Sequence, residues 1–372
     1  MKRLIISLAF ILSCFPFLLK AAADSCLIAG IAADQNYEFD KAREIFMQAP
    51  LREPVRAFYI MNAQYKKLKI NGHYKDANTY LIEGVNKNKA LFEESLNPDD
   101  PDYAELLMYY GALLGLQAQV FMAESKYLQG YYSGLTGLKK VETAYNMNPD
   151  LTDALLAMGT SAFYTGIMAQ HYSIIGSVIN AEESIRKGID YIQKTWDSRA
   201  LSQAEAGYLL LLINLYEIQD FETASGMGGI LLEKFPGNLE NRALYAETLI
   251  LRGDFERAEE ILHDFHDYTH WLDDNGKNMW SLRKTYVEAV LAMEKNDFDT
   301  AKIKFNHVLE NYCFEYQWQK NLSLLKLGQM ADLQGDRKKA RMYYQHVINS
   351  KETTRSVLDA GVYIKKAYKK SS

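Results

Sequence analysis

The sequence predicts an all-α protein, a solenoid of consecutive helical hairpins, and three observations predict it. Aspartate, phenylalanine and alanine recur with one internal spacing at Asp220, Phe221 and Ala224, at Asp254, Phe255 and Ala258, and at Asp297, Phe298 and Ala301. Ala224 and Ala258 stand 34 residues apart with Pro236 between them; a fixed period of this size marks units that bury their apolar faces on one another. Finally, 7 prolines and 22 glycines in 372 residues are few for an all-β chain with many tight turns, while 48% hydrophobic and 24% charged residues describe a folded chain. An array of such units can run this far without an internal boundary.

Taken in order, the chain opens with Lys2 and Arg3, an uncharged run from Leu4 to Leu19, then Lys20 and Ala21, Ala22 and Ala23 before Asp24. That is the layout of a secretory signal peptide over 1–23, cleaved after Ala23. Two alternatives stand beside it. Ile11 to Cys14 loosely resembles a lipoprotein box, which would put a lipid on Cys14, and the run interrupted by Pro16 could stay uncut as an anchor. All three export the protein, to the periplasm or an envelope surface. Cys26 and Cys313 then remain, too distant in a solenoid for a bridge, so stability must come from packing between hairpins.

The array is expected over 24–355. Phe39, Ala42, Ile45 and Phe46 form a helical stripe closed by Pro50; Pro54 opens the next helix, and Asn71 with Gly72 separates it from a partner carrying Ala77, Leu81 and Val85. A third hairpin begins at Pro101, with no charge from Leu106 to Ala123 and a partner helix holding Gly134, Gly137, Val141 and Ala144. Gly137 stands at the landmark alanine's position and lets two helices approach closely. Pro149 starts the next helix, with Gly159 as its small residue. From Ala154 to Ala181 there are 28 residues without a charge; scattered polar side chains argue for buried helices rather than a membrane span, with a break at Gly166. The later landmarks Ala301 and Ala340 lie 43 and 39 residues after their predecessors, so insertions fall between them. One covers 263–280, where Asp274, Asn275 and Gly276 read as turn formers. Gly253 closes the first helix of its hairpin, and 356–372 reads as a capping helix with a basic tail.

This pattern resembles the tetratricopeptide repeat, over about 36–348. The resemblance implies a right-handed superhelical solenoid whose first helices line a concave groove for peptides or proteins, with no chemistry of its own. The family's tryptophan is replaced by Tyr208 in one repeat and Arg242 in the next.

A net charge of -5 argues against a general nucleic-acid binder, which needs a basic face. Catalysis finds no support: there is no Gly-rich phosphate loop, nucleophile elbow or zinc-protease pair, and no cofactor is expected. His263, His266 and His270, at i, i+3 and i+7, would share one helix face and could share a metal. Tyr109, Tyr110, Tyr131, Tyr132, Phe163, Tyr164 and Tyr172 cluster in or beside the uncharged helices, as core filler or as the lining of a pocket. Two functions follow: a protein-interaction scaffold, or a carrier of a small hydrophobic ligand serving a transport system.

Overall fold

The computed structural model describes residues 24–350, 352 and 354–370, so the signal peptide expected over 1–23, with Cys14 and Pro16, lies outside the described residues. The described residues hold helices and turns and no strand. They fall into two compact units. The first takes the described residues up to Lys69, Tyr74–Ala157 and Arg199–Leu201; the second takes Ile70–His73, Met158–Ser198 and Ser202 onward. No composition shift marks the division, because it falls inside a helix.

In the first unit, α1 (24–35) and α2 (Phe39–Gln48), α3 (Glu53–Ile70) and α4 (Tyr74–Ser95), and α5 (Tyr103–Ala123) and α6 (Tyr127–Met147) form three hairpins, followed by the start of α7 (Asp153–His171). The second unit continues with α7, the single turn α8 (Ser173–Gly176) and α9 (Ala181–Asp197). Next come α10 (Gln203–Leu212), which runs into a π-helical turn, and α11 (Phe221–Lys234). Then α12 (Leu239–Arg252) pairs with α13 (Phe255–His263), α14 (Asp274–Glu294) with α15 (Phe298–Glu310), and α16 (Trp318–Leu333) with α17 (Arg337–Asn349), before α18 (Arg355–Tyr363). The helical-hairpin fold is thus observed.

One local device builds seven of these hairpins. The residue joining first helix to second has a left-handed backbone at Tyr37, Gly72, Ser125, Gln219, Gly253, Asn296 and Gly335, with φ between 60° and 86°. That conformation ends the first helix by satisfying its last carbonyls. Five residues later stands a small side chain buried at the helix crossing: Ala42, Ala77, Gly130, Ala224, Ala258, Ala301 and Ala340. Between them, the Asp220, Asp297 and Asp336 side chains accept the backbone N–H of Thr223, Thr300 and Lys339, each at 3.1 Å, capping the second helix. The crossing explains the recurring alanine, and the cap explains the aspartate at 220 and 297, whereas Asp254 stands at the same position without a side-chain cap bond. Non-glycine residues carry a steric cost in the left-handed region, so Gln219→Gly is expected to raise stability by about 0.5–1 kcal/mol, measured by urea unfolding.

The device also corrects the register of the third hairpin, where Gly130, not Gly137, takes the alanine's place. Gly137 does bring the helices together: a Cβ on it would lie 2.6 Å from the Gly111 carbonyl oxygen. Because α5 and α6 run 21 residues each, their contact extends two turns past the usual crossing. Among the described residues α5 is one helix long and apolar enough to cross a membrane, though about half of that stretch is buried inside its own unit.

Gly166 does not break its helix; α7 continues to His171. A Cβ on Gly166 would meet the Ala181 carbonyl at 2.8 Å, and one on Gly188 would meet the Phe163 nitrogen at 2.5 Å. These glycines are there for close α7–α9 packing. The uncharged segment around them is buried on one face only, since Tyr164, Met168, Tyr172 and Val178 are exposed.

Asp274, Asn275 and Gly276 form the first turn of α14 rather than a loop, with the Asp273 carboxylate accepting the Gly276 N–H at 2.8 Å. Asp273 N–H in turn donates to Asn71 Oδ1 at 3.0 Å, and Trp280 Nε1 donates to the Ile70 carbonyl at 2.9 Å. The extra residues before α14 include a 3₁₀ turn (Asp264–Tyr268) that sets Tyr268 against the Arg242 guanidinium, 3.7 Å from the ring centre. Arg242 also donates to the Pro236 carbonyl at 3.0 Å. The position where the tetratricopeptide pattern would have tryptophan is therefore filled by a buried arginine stacked on the insertion. The terminal helix is shorter than predicted: α18 stops at Tyr363, and the tail returns to the unit, with Lys370 Nζ 2.9 Å from the Glu294 carboxylate. Neither Cys26 nor Cys313 is in a disulfide.

Candidate functional site

The first helices of the second unit's hairpins converge on one buried charge. Arg283 lies on α14 among Met279, Leu282, Tyr286 and Val287, and is 1% exposed. Its Nη1 donates to Glu247 Oε2 at 3.4 Å, and its Nη2 reaches the Tyr216 hydroxyl and Glu240 Oε1, both at 3.5 Å. Glu247 accepts two further bonds, from Tyr216 at 2.6 Å and Tyr286 at 3.1 Å. Glu240 and Glu247 are seven residues apart on α12 and so share a face; Arg283 and Tyr286 are three apart on α14.

Tyr216 arrives by a different route. Below Leu212, α10 widens into a π-helical turn (Ile213–Ile218), which inserts a residue into the helix and turns the following side chains. Tyr216 and Glu217 are brought inward, and the Tyr216 ring lies 5.3 Å from that of Trp318 at the start of α16. Trp318 also faces the Arg283 guanidinium, at 5.8 Å.

Electrostatics agree with the geometry. Burial opposes the charge on Arg283, but Glu240, Tyr216 and Glu247 outweigh it and hold the guanidinium well above its ordinary range. Burial and then Glu247 push Tyr216 and Tyr286 far up, so both stay neutral donors. Burial also raises Glu217, against the Arg355 backbone N–H and charge.

Around this cluster stand tyrosines in an unusual state. Tyr164 and Tyr316 are 52% and 47% exposed, yet burial raises the hydroxyl of each. Each ring is thus open to water while its hydroxyl is partly withdrawn from it. Tyr164 and Glu315 act on Tyr316, and Glu217 acts on Tyr164. Tyr208 is raised by burial and then by Glu240 and Tyr164, and Tyr312 is raised by burial. The Tyr312 hydroxyl donates to the Tyr316 carbonyl, fixing the loop that carries both.

The aromatic residues singled out from sequence do not form one group. In the first unit Tyr109 and Tyr110 are core: Tyr109 packs against Phe58 and Tyr59 and shares a 3.1 Å hydroxyl contact with Tyr59. Tyr110 lies parallel on Phe92, donates to Glu93 at 2.7 Å and is pushed up to about 12 by burial and that carboxylate. Tyr131 and Tyr132 are exposed on α6. In the second unit Phe163 is buried and Tyr172 is exposed, while Tyr164, itself half exposed, alone of the seven acts on Tyr316. The three histidines do not share a helix face, because α13 ends at His263. His263 contacts Asp264, His266 contacts Thr269 and His270 contacts the Asp267 carbonyl; among the described residues no group of three such side chains could hold a metal ion.

What sequence reasoning missed was the buried network itself. The signal was there: Glu247 and Arg283 are charges set within apolar helical stripes, and a charge in that position must be paired.

No family model and no curated protein matches the sequence. Among solved structures the chain is similar to the crystal structure of yeast Tom70, at 13% identity over 93% of this chain and 95% of that one, with a TM-score of 0.33.

Proposed function

We propose that the protein is a non-enzymatic scaffold of tetratricopeptide-like hairpins, and that Tyr164 and Tyr316 wall a recess in the second unit that holds a peptide or protein partner. The observation that carries this reading is the pair Tyr164 and Tyr316, half exposed and desolvated, beside a floor held rigid by the Arg283 and Glu247 network. Half-exposed tyrosines on a preformed wall give contact area with little ordering entropy. Peptides selected by phage display on the immobilised chain, then measured by fluorescence anisotropy, test it. Binding should fall about tenfold or more in Tyr164→Ala and Tyr316→Ala, with thermal unfolding unchanged. Selected peptides indifferent to both substitutions would sink the proposal.

We propose that this activity lies outside the cytoplasm, in the periplasm or at an envelope surface, a reading supported by the signal-like pattern of residues 1–23. N-terminal analysis of the mature chain tests this: Asp24 first means cleavage, an acylated Cys14 a lipid anchor, and an intact Met1 on cytoplasmic protein contradicts export.

A further inference from the structure

Lys338, Arg341 and Met342 stand at i, i+3 and i+4 on α17, share one helix face and are exposed. The opposite face of α17 is core, where Ala340, Tyr344 and Val347 pack with Ala360 of α18. Along the exposed face runs an open groove of about 820 Å³, whose lining also takes in Asp336, Lys339 and, just past α18, Ile364. Its far wall is fixed by Arg337. One guanidinium nitrogen, Nη2, donates to the carbonyls of Tyr363 and Ile364 at 2.7 and 3.0 Å, and the other, Nη1, to the Asp332 carboxylate at 3.0 Å. That carboxylate also accepts the Tyr344 hydroxyl at 2.9 Å and the Tyr368 N–H at 2.8 Å. The end of α18 and the tail behind it are thus tied to α16 and α17, and the groove is formed before any partner arrives.

The groove's charge is positive on a chain whose net charge is -5. Among the described residues Lys338, Lys339 and Arg341 are in no ion pair, whereas the neighbouring Arg337 and Lys370 are held by Asp332 and Glu294. Asp336, the carboxylate in the lining, caps α17 by accepting the Lys339 N–H at 3.1 Å. Lys365 and Lys366, also exposed, follow Ile364 directly. Unpaired cations beside the apolar Met342 and Ile364 are complementary to carboxylates on a chain that also offers an apolar side chain. A basic segment would be repelled. A bilayer surface or a nucleic-acid backbone spreads its phosphates evenly, would reach the rim and not the apolar strip, and would set negative charge against Asp336.

We propose that this groove is a second docking site, which takes an acidic segment of a partner protein, its carboxylates paired with Lys338, Lys339 and Arg341 and an apolar side chain laid on Met342 and Ile364. It shares no residue with the Tyr164 and Tyr316 face and goes beyond the function proposed above.

The full chain is titrated at low and high salt with a short fluorescein-labelled peptide that alternates glutamate with leucine. Its glutamine-for-glutamate counterpart, vesicles of phosphatidylglycerol and a single-stranded oligonucleotide are measured beside it. The glutamate peptide should bind about tenfold tighter than the glutamine one and weaken as salt rises. Lys338→Glu combined with Arg341→Glu should weaken it about tenfold or more, whereas Lys302→Glu, exposed on α15, should leave it unchanged. Thermal unfolding of the double variant should match that of the parent chain. If the reversed pair does not fold, Lys338→Gln with Arg341→Gln takes its place and should weaken the peptide in the same direction. A glutamate peptide that fails to bind, or that binds the parent chain and the double variant equally, overturns the proposal. Vesicles or oligonucleotide bound more tightly than the peptide, through the same two residues, overturn it in favour of a phosphate surface. None of these outcomes bears on Tyr164→Ala or Tyr316→Ala, so the two readings fail separately.

Discussion

Glu247→Ala is expected to lower the stability of the second unit by about 3–5 kcal/mol. Glu247 accepts from Arg283, Tyr216 and Tyr286 at once. Its removal leaves two buried hydroxyls without their acceptor and Arg283 with only the long Glu240 contact for compensation. The Arg283 Nε already lacks a hydrogen-bond partner, so the guanidinium has no spare acceptor to fall back on. Breaking a buried pair from one side costs far more than the pair contributes, because the survivor stays charged and dry. Replacing both partners should therefore restore much of the loss, and Glu247→Leu with Arg283→Met should be more stable than Glu247→Ala. The measurement is clean, since all four tryptophans, Trp196, Trp271, Trp280 and Trp318, lie in the second unit, and their fluorescence during urea unfolding follows that unit. A loss below about 1 kcal/mol for the single change would match a solvated pair and remove the network as the floor of the recess.

The same substitutions separate rigidity from contact. Arg283 and Glu247 are too deeply buried to touch a peptide, so the double replacement should leave the wall tyrosines in place while changing the charge beneath them. If peptide binding depends only on the rings, it survives; if the wall is held by the π-helical turn through Tyr216, binding weakens with it.

How much of this could be read beforehand depended on which residues carried the structure. Hairpins were legible at Asp220 and Asp297 because a cap and a buried alanine constrain residue identity wherever they recur. The left-handed turn was legible only at Gly72, Gly253 and Gly335; at Tyr37, Ser125, Gln219 and Asn296 the same backbone is carried by residues that announce nothing. Without those turns the third hairpin could not be registered, and Gly137 stood in for Gly130. Gly166 was misread for a related reason: a glycine inside a helix marks either a break or a close approach, and only the partner helix, here α9, decides between them. The recess was least legible, because its parts come from α7, α10, α12, α14 and α16, and nothing local links Tyr164 to Tyr316.

Ala258→Asp carries the other large expected effect, a loss of several kcal/mol. Ala258 is 0% exposed on α13, which packs against α12 and α14. An aspartate there would bury a charge with no partner and force apart helices whose spacing is set by a methyl group. Ala258→Gly isolates the contributions: it adds no volume and no charge, and should cost only the roughly 1 kcal/mol of a glycine in a helix. Ala224, Ala301 and Ala340 are equally buried, five residues after their own turns, so Ala301→Asp should match Ala258→Asp, whereas Glu259→Asp, one position along on an exposed face, should cost little. Tryptophan-monitored unfolding of the four variants tests the register directly: equal behaviour of Ala258→Asp and Glu259→Asp would mean that the crossing position does not lie five residues after the left-handed turn.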